Sequence, residues 1–134
     1  MLYKKSLIIS LLYVSFGVLQ VKALELPDGI VQALETGNAK NMSKYFNSSV
    51  ELIFSQSQGV YAKSQAEKIL KNFFDNVGPL KYRHIHHTSS KDNTQYSYIG
   101  QLDTNKGTYR VNIYMKNQCI HQMRIESNDW YKLS

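Results

Sequence analysis

Residues 108–126 read TYRVNIYMKNQCIHQMRIE, and this stretch decides the fold that the sequence predicts. Each half alternates between apolar and polar residues, which is typical of a β-strand with one buried face. A short polar turn joins the halves, so the stretch predicts an antiparallel hairpin. The positions on the apolar side are Tyr109, Val111, Ile113 and Met115 on the first strand, and Cys119, His121, Met123 and Ile125 on the second. His121 is therefore the one imidazole that the alternation places on the buried face.

The length of the turn decides which side chains of the hairpin oppose each other. A two-residue turn would mix the two faces, whereas a three-residue loop at 116–118 keeps the apolar faces together, because a slip of one residue inverts every side chain. We therefore predict that Ile113 pairs with His121. The same reasoning on the preceding turn pairs Tyr98 with Ile113, so Tyr98, Ile113 and His121 are expected to form one row across neighbouring strands.

Helices and further strands precede the hairpin. Apolar periodicity predicts helices that begin near Pro27, Asn38 and Ser64, and Ser64 has capping-box spacing with the glutamate that follows it. Gly37 and Gly78 are predicted to end the first and the last of these helices. Shorter alternating stretches predict strands at 50–54, 60–61, 80–88 and 94–102. The pattern indicates a single α+β domain.

Gly100 has a special place in this predicted sheet. The register that pairs Tyr98 with Ile113 also sets Gly100 opposite Val111, in the middle of the strand pair. A residue without a side chain lets a sheet bend sharply or lets another group approach closely. We therefore expect a curved antiparallel sheet.

Residues 1–23 predict a signal peptide rather than a part of the fold. Lysines stand at positions 4 and 5, an apolar run covers 6–19, and small residues occupy positions 21 and 23, as cleavage requires. The run is shorter than the about 20 residues that a membrane span needs. We expect a mature domain over 24–127 with a tail at 128–134, exported to the periplasm or the medium, without a stable membrane span. A retained N-terminal anchor is the alternative.

Charge and cysteine usage restrict the classes of partner. Residues 1–23 contain three of the 16 basic residues and none of the 10 acidic ones, so cleavage lowers the net charge from +6 to +3. The remaining lysines and arginines are scattered, which is typical of a solvated surface, and we expect no nucleic-acid partner. Cys119 is the lone cysteine and cannot form an internal disulfide; its place on the apolar face predicts burial.

Several segments resemble a known fold. They are Pro27-Asp28-Gly29-Ile30, Tyr45-Phe46-Asn47, Gly59-Val60-Tyr61 and the stretch from Ile120 to Glu126. With the order of helices and strands, they resemble the nuclear transport factor 2-like superfamily, and most closely an uncharacterised family of short exported bacterial domains. The resemblance implies a cone in which a curved antiparallel sheet wraps around three N-terminal helices. It implies little about function, since the superfamily hosts isomerases, dehydratases, transport factors and domains without known activity.

The row Tyr98, Ile113, His121 is the predicted site. An imidazole on an apolar concave face suits a satisfied core residue, a polar anchor for a ligand or a general base. The inward positions of the last three strands hold no aspartate or glutamate, and a base without an orienting carboxylate is a weak catalyst. We therefore predict a non-enzymatic binding or interaction module with a small apolar pocket, without catalytic residues or a cofactor. A small lyase or isomerase that uses His121 as general base is the alternative.

Residues 83–87, RHIHH, raise the question of a metal site. On a regular strand His84 and His86 share a face and His87 points away. Two imidazoles without a third ligand are too few for a closed structural zinc site. The sequence therefore predicts an exposed polar strand and no metal.

The polar face of the hairpin is the predicted outer surface of the sheet. It consists of Arg110, Asn112, Tyr114, Gln122 and Arg124, with Ile99 and Ile120 among them. Such a mixed face suits solvent, and it equally suits a homodimer that pairs two sheets. The resemblance supports the homodimer as much as the solvated face.

Overall fold

The computed structural model describes residues 25–128, in which a six-stranded sheet packs against three helices. The helices are α1 (Asp28–Thr36), α2 (Ala39–Ser43) and α3 (Lys63–Val77), and the strands are β1 (Phe46–Phe54), β2 (Ser57–Ala62), β3 (Pro79–Ser89), β4 (Gln95–Thr104), β5 (Gly107–Lys116) and β6 (Cys119–Ser127). The predicted signal peptide and residues 129–134 of the predicted tail lie outside the described residues. Within residues 25–128, no helix has the length and apolar character to cross a membrane.

The strands form one curved, open sheet in the order β2-β1-β6-β5-β4-β3. The predicted α+β fold with three helices on the concave side of the sheet is confirmed. One strand pair differs from the prediction, because β1 runs parallel to β6 where only antiparallel pairs were expected. A parallel strand pair needs a long connection, and the four strands that lie between β1 and β6 in the sequence provide it.

The helix ends follow the sequence signals closely. Gly37 and Gly78 adopt left-handed conformations with φ of 64° each, and α1 and α3 end there as predicted. The Asn41 backbone N–H donates to Asn38 Oδ1 at 3.0 Å, which is the predicted cap of α2. The predicted capping box at Ser64 is wrong, because α3 begins one residue earlier and no side chain caps it.

The register of β4 and β5 is as predicted. Tyr98 pairs with Ile113, and Gly100 pairs with Val111. The space above Gly100 is filled by the ring of Tyr82 from β3, which a Cβ at this position would overlap. The aromatic ring covers the backbone that glycine leaves open, as occurs where sheets bend.

The turn between β5 and β6 differs from the prediction. Lys116 pairs with Cys119, so the turn consists of the two residues Asn117 and Gln118. Their φ angles are 50° and 66°, and two successive positive φ values suit the twist of a two-residue hairpin. The predicted three-residue loop is therefore wrong.

A β-bulge after the turn restores the apolar face. Met115 pairs with Ile120 and the preceding Tyr114 pairs with Gln122, so His121 is an extra residue without a partner of its own. A bulge of this kind shifts the downstream alternation by one position. The bulge thereby returns Met123 and Ile125 to the core, whereas Ile120 joins the core instead of the outer face because the shorter turn pairs it with Met115.

The shorter turn, together with the bulge, removes His121 from the predicted row. Ile113 pairs with Met123, so the predicted pairing of Ile113 with His121 is wrong. The His121 ring packs edge-on against Tyr114 on the outer face, with ring centroids 6.2 Å apart. Cys119 is a half-buried free thiol rather than a core residue, because the shorter turn changes its position too.

Candidate functional site

A second bulge, in β3, decides which histidines of the RHIHH segment lie together. The register of β3 on β4 shifts between His84 and His86, which makes Ile85 the extra residue. The alternation inverts at this point, so His84 shares the inner face with His87. His84 Nε2 lies 3.2 Å from His87 Nδ1. The predicted sharing of a face by His84 and His86 is wrong for this reason.

Tyr98 adjoins this histidine pair, and Tyr96 and Tyr82 adjoin Tyr98. We name the group the tyrosine–histidine cluster; it comprises Tyr82, His84, His87, Tyr96 and Tyr98. The Tyr98 ring centroid lies 6.5 Å from that of His84 and 6.3 Å from that of His87. Tyr96 stacks on Tyr98 with an interplanar angle of 19° and a centroid separation of 6.2 Å. The cluster lines one part of the inner sheet face.

Tyr82 and Tyr98 of the cluster are neutral hydrogen-bonding groups. Burial, with a contribution from neighbouring Tyr98, raises the pKa of Tyr82 to about 12. Burial and the neighbouring Tyr96 raise the pKa of Tyr98 as well. The Tyr82 hydroxyl is buried and meets no hydrogen-bond partner within the described part of the chain. Tyr82 and Tyr98 are therefore phenols, rather than phenolates, at neutral pH.

We expect Tyr82→Phe to stabilise the domain by about 1 kcal/mol at pH 7, because a buried hydroxyl without a partner costs about 1–3 kcal/mol. Tyrosine ionises with a pKa near 10 in the unfolded chain, whereas the pKa of Tyr82 in the folded domain is about 12. Between pH 10 and 12 the free energy of unfolding should therefore fall by about 2 kcal/mol more for the parent than for the variant. Urea unfolding followed by circular dichroism measures both effects. A variant that is less stable than the parent at pH 7 would show that the hydroxyl has a partner.

Two cavities border the cluster and share Glu25. The first, which we name the aromatic cleft, has a volume of about 400 Å³ and is lined by Glu25, Pro27, Tyr45, Tyr96, Tyr98, Met115 and Gln118. The second, of about 250 Å³, is lined by Glu25, Leu26, Asp28, Val31, Tyr82 and His84. The chain entering α1 thus borders the cavities that the three tyrosines and His84 line.

The predicted site residues are only partly brought together. Tyr98 lines the aromatic cleft, and Ile113 is 1% exposed in the core beside it. His121 lies on the outer face and lines neither cavity. Tyr96 was missed, although it stands two positions before Tyr98 on the same strand face. Tyr45, which lies in the turn before β1, was missed as well.

Two other depressions are less suited to a specific ligand. A cleft of about 530 Å³ lies between α3 and the α1–α2 turn, and its charged pair Lys71–Asp75 is well exposed. An apolar groove of about 440 Å³, at the end of β6, is lined by Phe54, Phe73 and Tyr109 among others. The rings of the apolar groove already pack on each other, with centroids 5.2 and 5.3 Å apart.

The outer sheet face pairs many of its polar groups internally. The Tyr114 hydroxyl donates to Gln95 Oε1 at 2.8 Å, and Arg124 lies 3.2 Å from the Glu126 carboxylate. Such contacts are ordinary for a solvated sheet face. The pairing of two copies through this face stays a prediction.

The fold defines the class of protein: a nuclear transport factor 2-like, or cystatin-like, α+β domain. The chain is similar to a protein of unknown function with a cystatin-like fold from Nostoc punctiforme, with a TM-score of 0.59, 11% identity, and coverage of 79% of this chain and 88% of that one. This likeness concerns the fold alone. The chain belongs to the family described as a domain of unknown function, DUF4783, whose model matches residues 27–126.

Crystal structures of members of this family are also similar to the chain. The one from Bacteroides ovatus is 30% identical, with a TM-score of 0.71 over 78% of this chain and 97% of that chain. The one from Bacteroides uniformis is 29% identical, with a TM-score of 0.72 over 78% and 99%. The curated proteins include no match to this chain. The resemblance found in the sequence is thus confirmed.

Proposed function

We propose that the protein is an exported, non-enzymatic binding module whose aromatic cleft takes a small, flat, mostly apolar ligand. The observation that carries this proposal is the cavity of about 400 Å³ between the stacked tyrosines of β4 and the chain entering α1. Ligand sites are typically concave, mostly apolar and about 300–1,000 Å³ in volume. Export rests on the charged, apolar and small residues of 1–23.

The lining of the cleft indicates the kind of ligand. Tyr96 and Tyr98 supply nearly parallel rings, and Met115 supplies an adaptable apolar surface. Aromatic faces bind planar apolar groups well, and the phenol hydroxyls can orient a polar substituent. Glu25 is the acidic member of the described lining, which favours a ligand with a hydrogen-bond donor at that end.

The lining also supports binding rather than catalysis. The described lining of the cleft contains no histidine or cysteine, and Glu25 is exposed to solvent. A general base needs a tuned pKa within hydrogen-bonding reach of its substrate. The lyase or isomerase alternative relied on His121, which lies on the other face of the sheet.

A fluorescent probe tests the cleft. The full chain is titrated with N-phenyl-1-naphthylamine, a neutral planar apolar dye, and native mass spectrometry looks for a small molecule that co-purifies. We expect Tyr96→Ala to weaken dye binding about tenfold, because the stacked aromatic pair contributes beyond its buried area. Any co-purifying small molecule should be lost from the same variant.

Tyr114→Ala is the matched control, since Tyr114 is also a half-buried tyrosine but lies on the outer face. Dye binding by this variant should equal that of the parent, with circular dichroism showing that both variants fold. The proposal would be wrong if Tyr96→Ala bound the dye like the parent. It would also be wrong if Phe73→Ala in the apolar groove abolished binding instead.

A further inference from the structure

The imidazoles of His84 and His87 meet on the inner sheet face because of the bulge at Ile85. Their ring centroids are 5.3 Å apart and the ring planes are inclined by 35°. His86 follows the bulge beside His87, with ring centroids 6.4 Å apart, but takes no part in the contact between the nitrogens of His84 and His87. Among the described histidines, His84 and His87 have the shortest distance between imidazole nitrogens. Neither residue lines the aromatic cleft, so a ligand in the cleft does not explain their contact.

The separation of the two nitrogens suits a shared metal ion. Two imidazole nitrogens bound to one tetrahedral ion at 2.0–2.1 Å are about 3.3 Å apart. His84 Nε2 and His87 Nδ1 are 3.2 Å apart. We propose that these two nitrogens form an open site for a divalent transition metal of the imidazole-preferring class, such as Zn²⁺, Ni²⁺ or Cu²⁺.

The surroundings of the pair suit an accessible ion. His84 is exposed and borders the cavity that also holds Glu25 and Asp28, so a cation can enter beside two carboxylates. His87 is half-buried and its ring is backed by Tyr98, which limits its movement. A preformed spacing with one restrained ligand lowers the cost of binding.

The site is open rather than closed. Within residues 25–128, no group of three or more histidine, cysteine, aspartate or glutamate side chains is arranged to hold a metal. Two protein ligands leave the remaining positions to water or to an oxygen of a bound small molecule, as in zinc sites that keep an exchangeable position. The expected affinity is therefore modest, and removal of either imidazole should affect it strongly.

Calorimetric titration tests the site. The full chain, purified through a tag without histidine, is titrated with Zn²⁺ and with Ni²⁺ at pH 7.5. We expect His84→Ala and His87→Ala each to weaken binding at least about tenfold, as loss of a metal-supporting group typically does.

His86→Ala is the matched control, since His86 is an exposed histidine next to His87. It should bind both metals like the parent. A hydrogen bond between two neutral imidazoles would give the same 3.2 Å contact, and the parent would then bind neither metal at millimolar concentration. That result, or an equal loss of metal affinity in His86→Ala and His87→Ala, would overturn the proposal.

The d–d absorption of Cu²⁺ gives a second readout that does not depend on the heat signal. His87→Asn replaces His87→Ala if the alanine variant fails to fold. His84 and His87 do not line the aromatic cleft, so the metal titration and the dye titration of the parent report on the two sites separately.

Discussion

Replacing Gly100 by alanine is expected to lower the free energy of unfolding by about 3 kcal/mol, at the upper end of the usual cost of overpacking a core. A Cβ at Gly100 would overlap the ring and hydroxyl of Tyr82. Tyr82 is 7% exposed, and its backbone N–H donates to Glu35 Oε2 at 3.0 Å, so the ring cannot simply swing into solvent. Urea unfolding of parent and variant measures the difference.

Gly59→Ala is the matched control for this substitution. Gly59 also lies in a strand, but its Cβ would meet the end of Tyr61, which lies half-exposed on the edge strand β2 and can move aside. We expect a change within about 1 kcal/mol, as for ordinary surface-strand positions. Adding Gly100→Ala to Tyr82→Leu should cost much less than adding it to the parent. If Gly100→Ala lowered the free energy of unfolding equally in the parent and in Tyr82→Leu, overlap with the Tyr82 ring would not be the cause of the loss.

Phe74→Ala is expected to lower the free energy of unfolding by about 4 kcal/mol, within the range for truncating a buried phenylalanine. Phe74 is 2% exposed and lies on the α3 face that packs into the core. The loss combines the transfer free energy of the ring with the cavity that a helix–sheet interface cannot close. Thermal and urea unfolding measure it.

The neighbouring Phe73→Ala provides the comparison. Phe73 is half-buried in the apolar groove, where its ring centroid lies 5.3 Å from that of Phe54 and 5.2 Å from that of Tyr109. We expect a cost of about 1–2 kcal/mol, because a partly exposed ring leaves no closed cavity. An equal loss of stability in the two alanine variants would contradict the placement of Phe74 in the buried core and of Phe73 at its edge.

Much of the fold could be predicted from local pattern. Glycines 37 and 78 ended their helices as predicted, because only glycine adopts the left-handed conformation at no steric cost. The pairing of Gly100 with Val111 followed from alternation alone, since that strand pair contains no irregularity.

The candidate site could be predicted only in part. Tyr98 was identified and lines the aromatic cleft, whereas His121 was placed on the wrong face. His84 was paired with the wrong histidine. The two errors have different local origins. The bulge at Ile85 inverts the side chains beyond it, whereas the two-residue turn before β6, where three residues were predicted, turns His121 outward.

The sequence by itself thus determined the elements, the ends of the helices and the α+β class, because these depend on periodicity and on the conformational preferences of neighbouring residues. The tertiary structure alone decided the parallel pairing of β1 with β6 and the two bulges, at Ile85 and His121. Those features depend on contacts between residues far apart in the chain, which must bury the apolar faces while the backbone keeps its hydrogen bonds. The bulge at Ile85 brings His87 to His84 on the inner face, and the two-residue turn before β6 turns His121 outward.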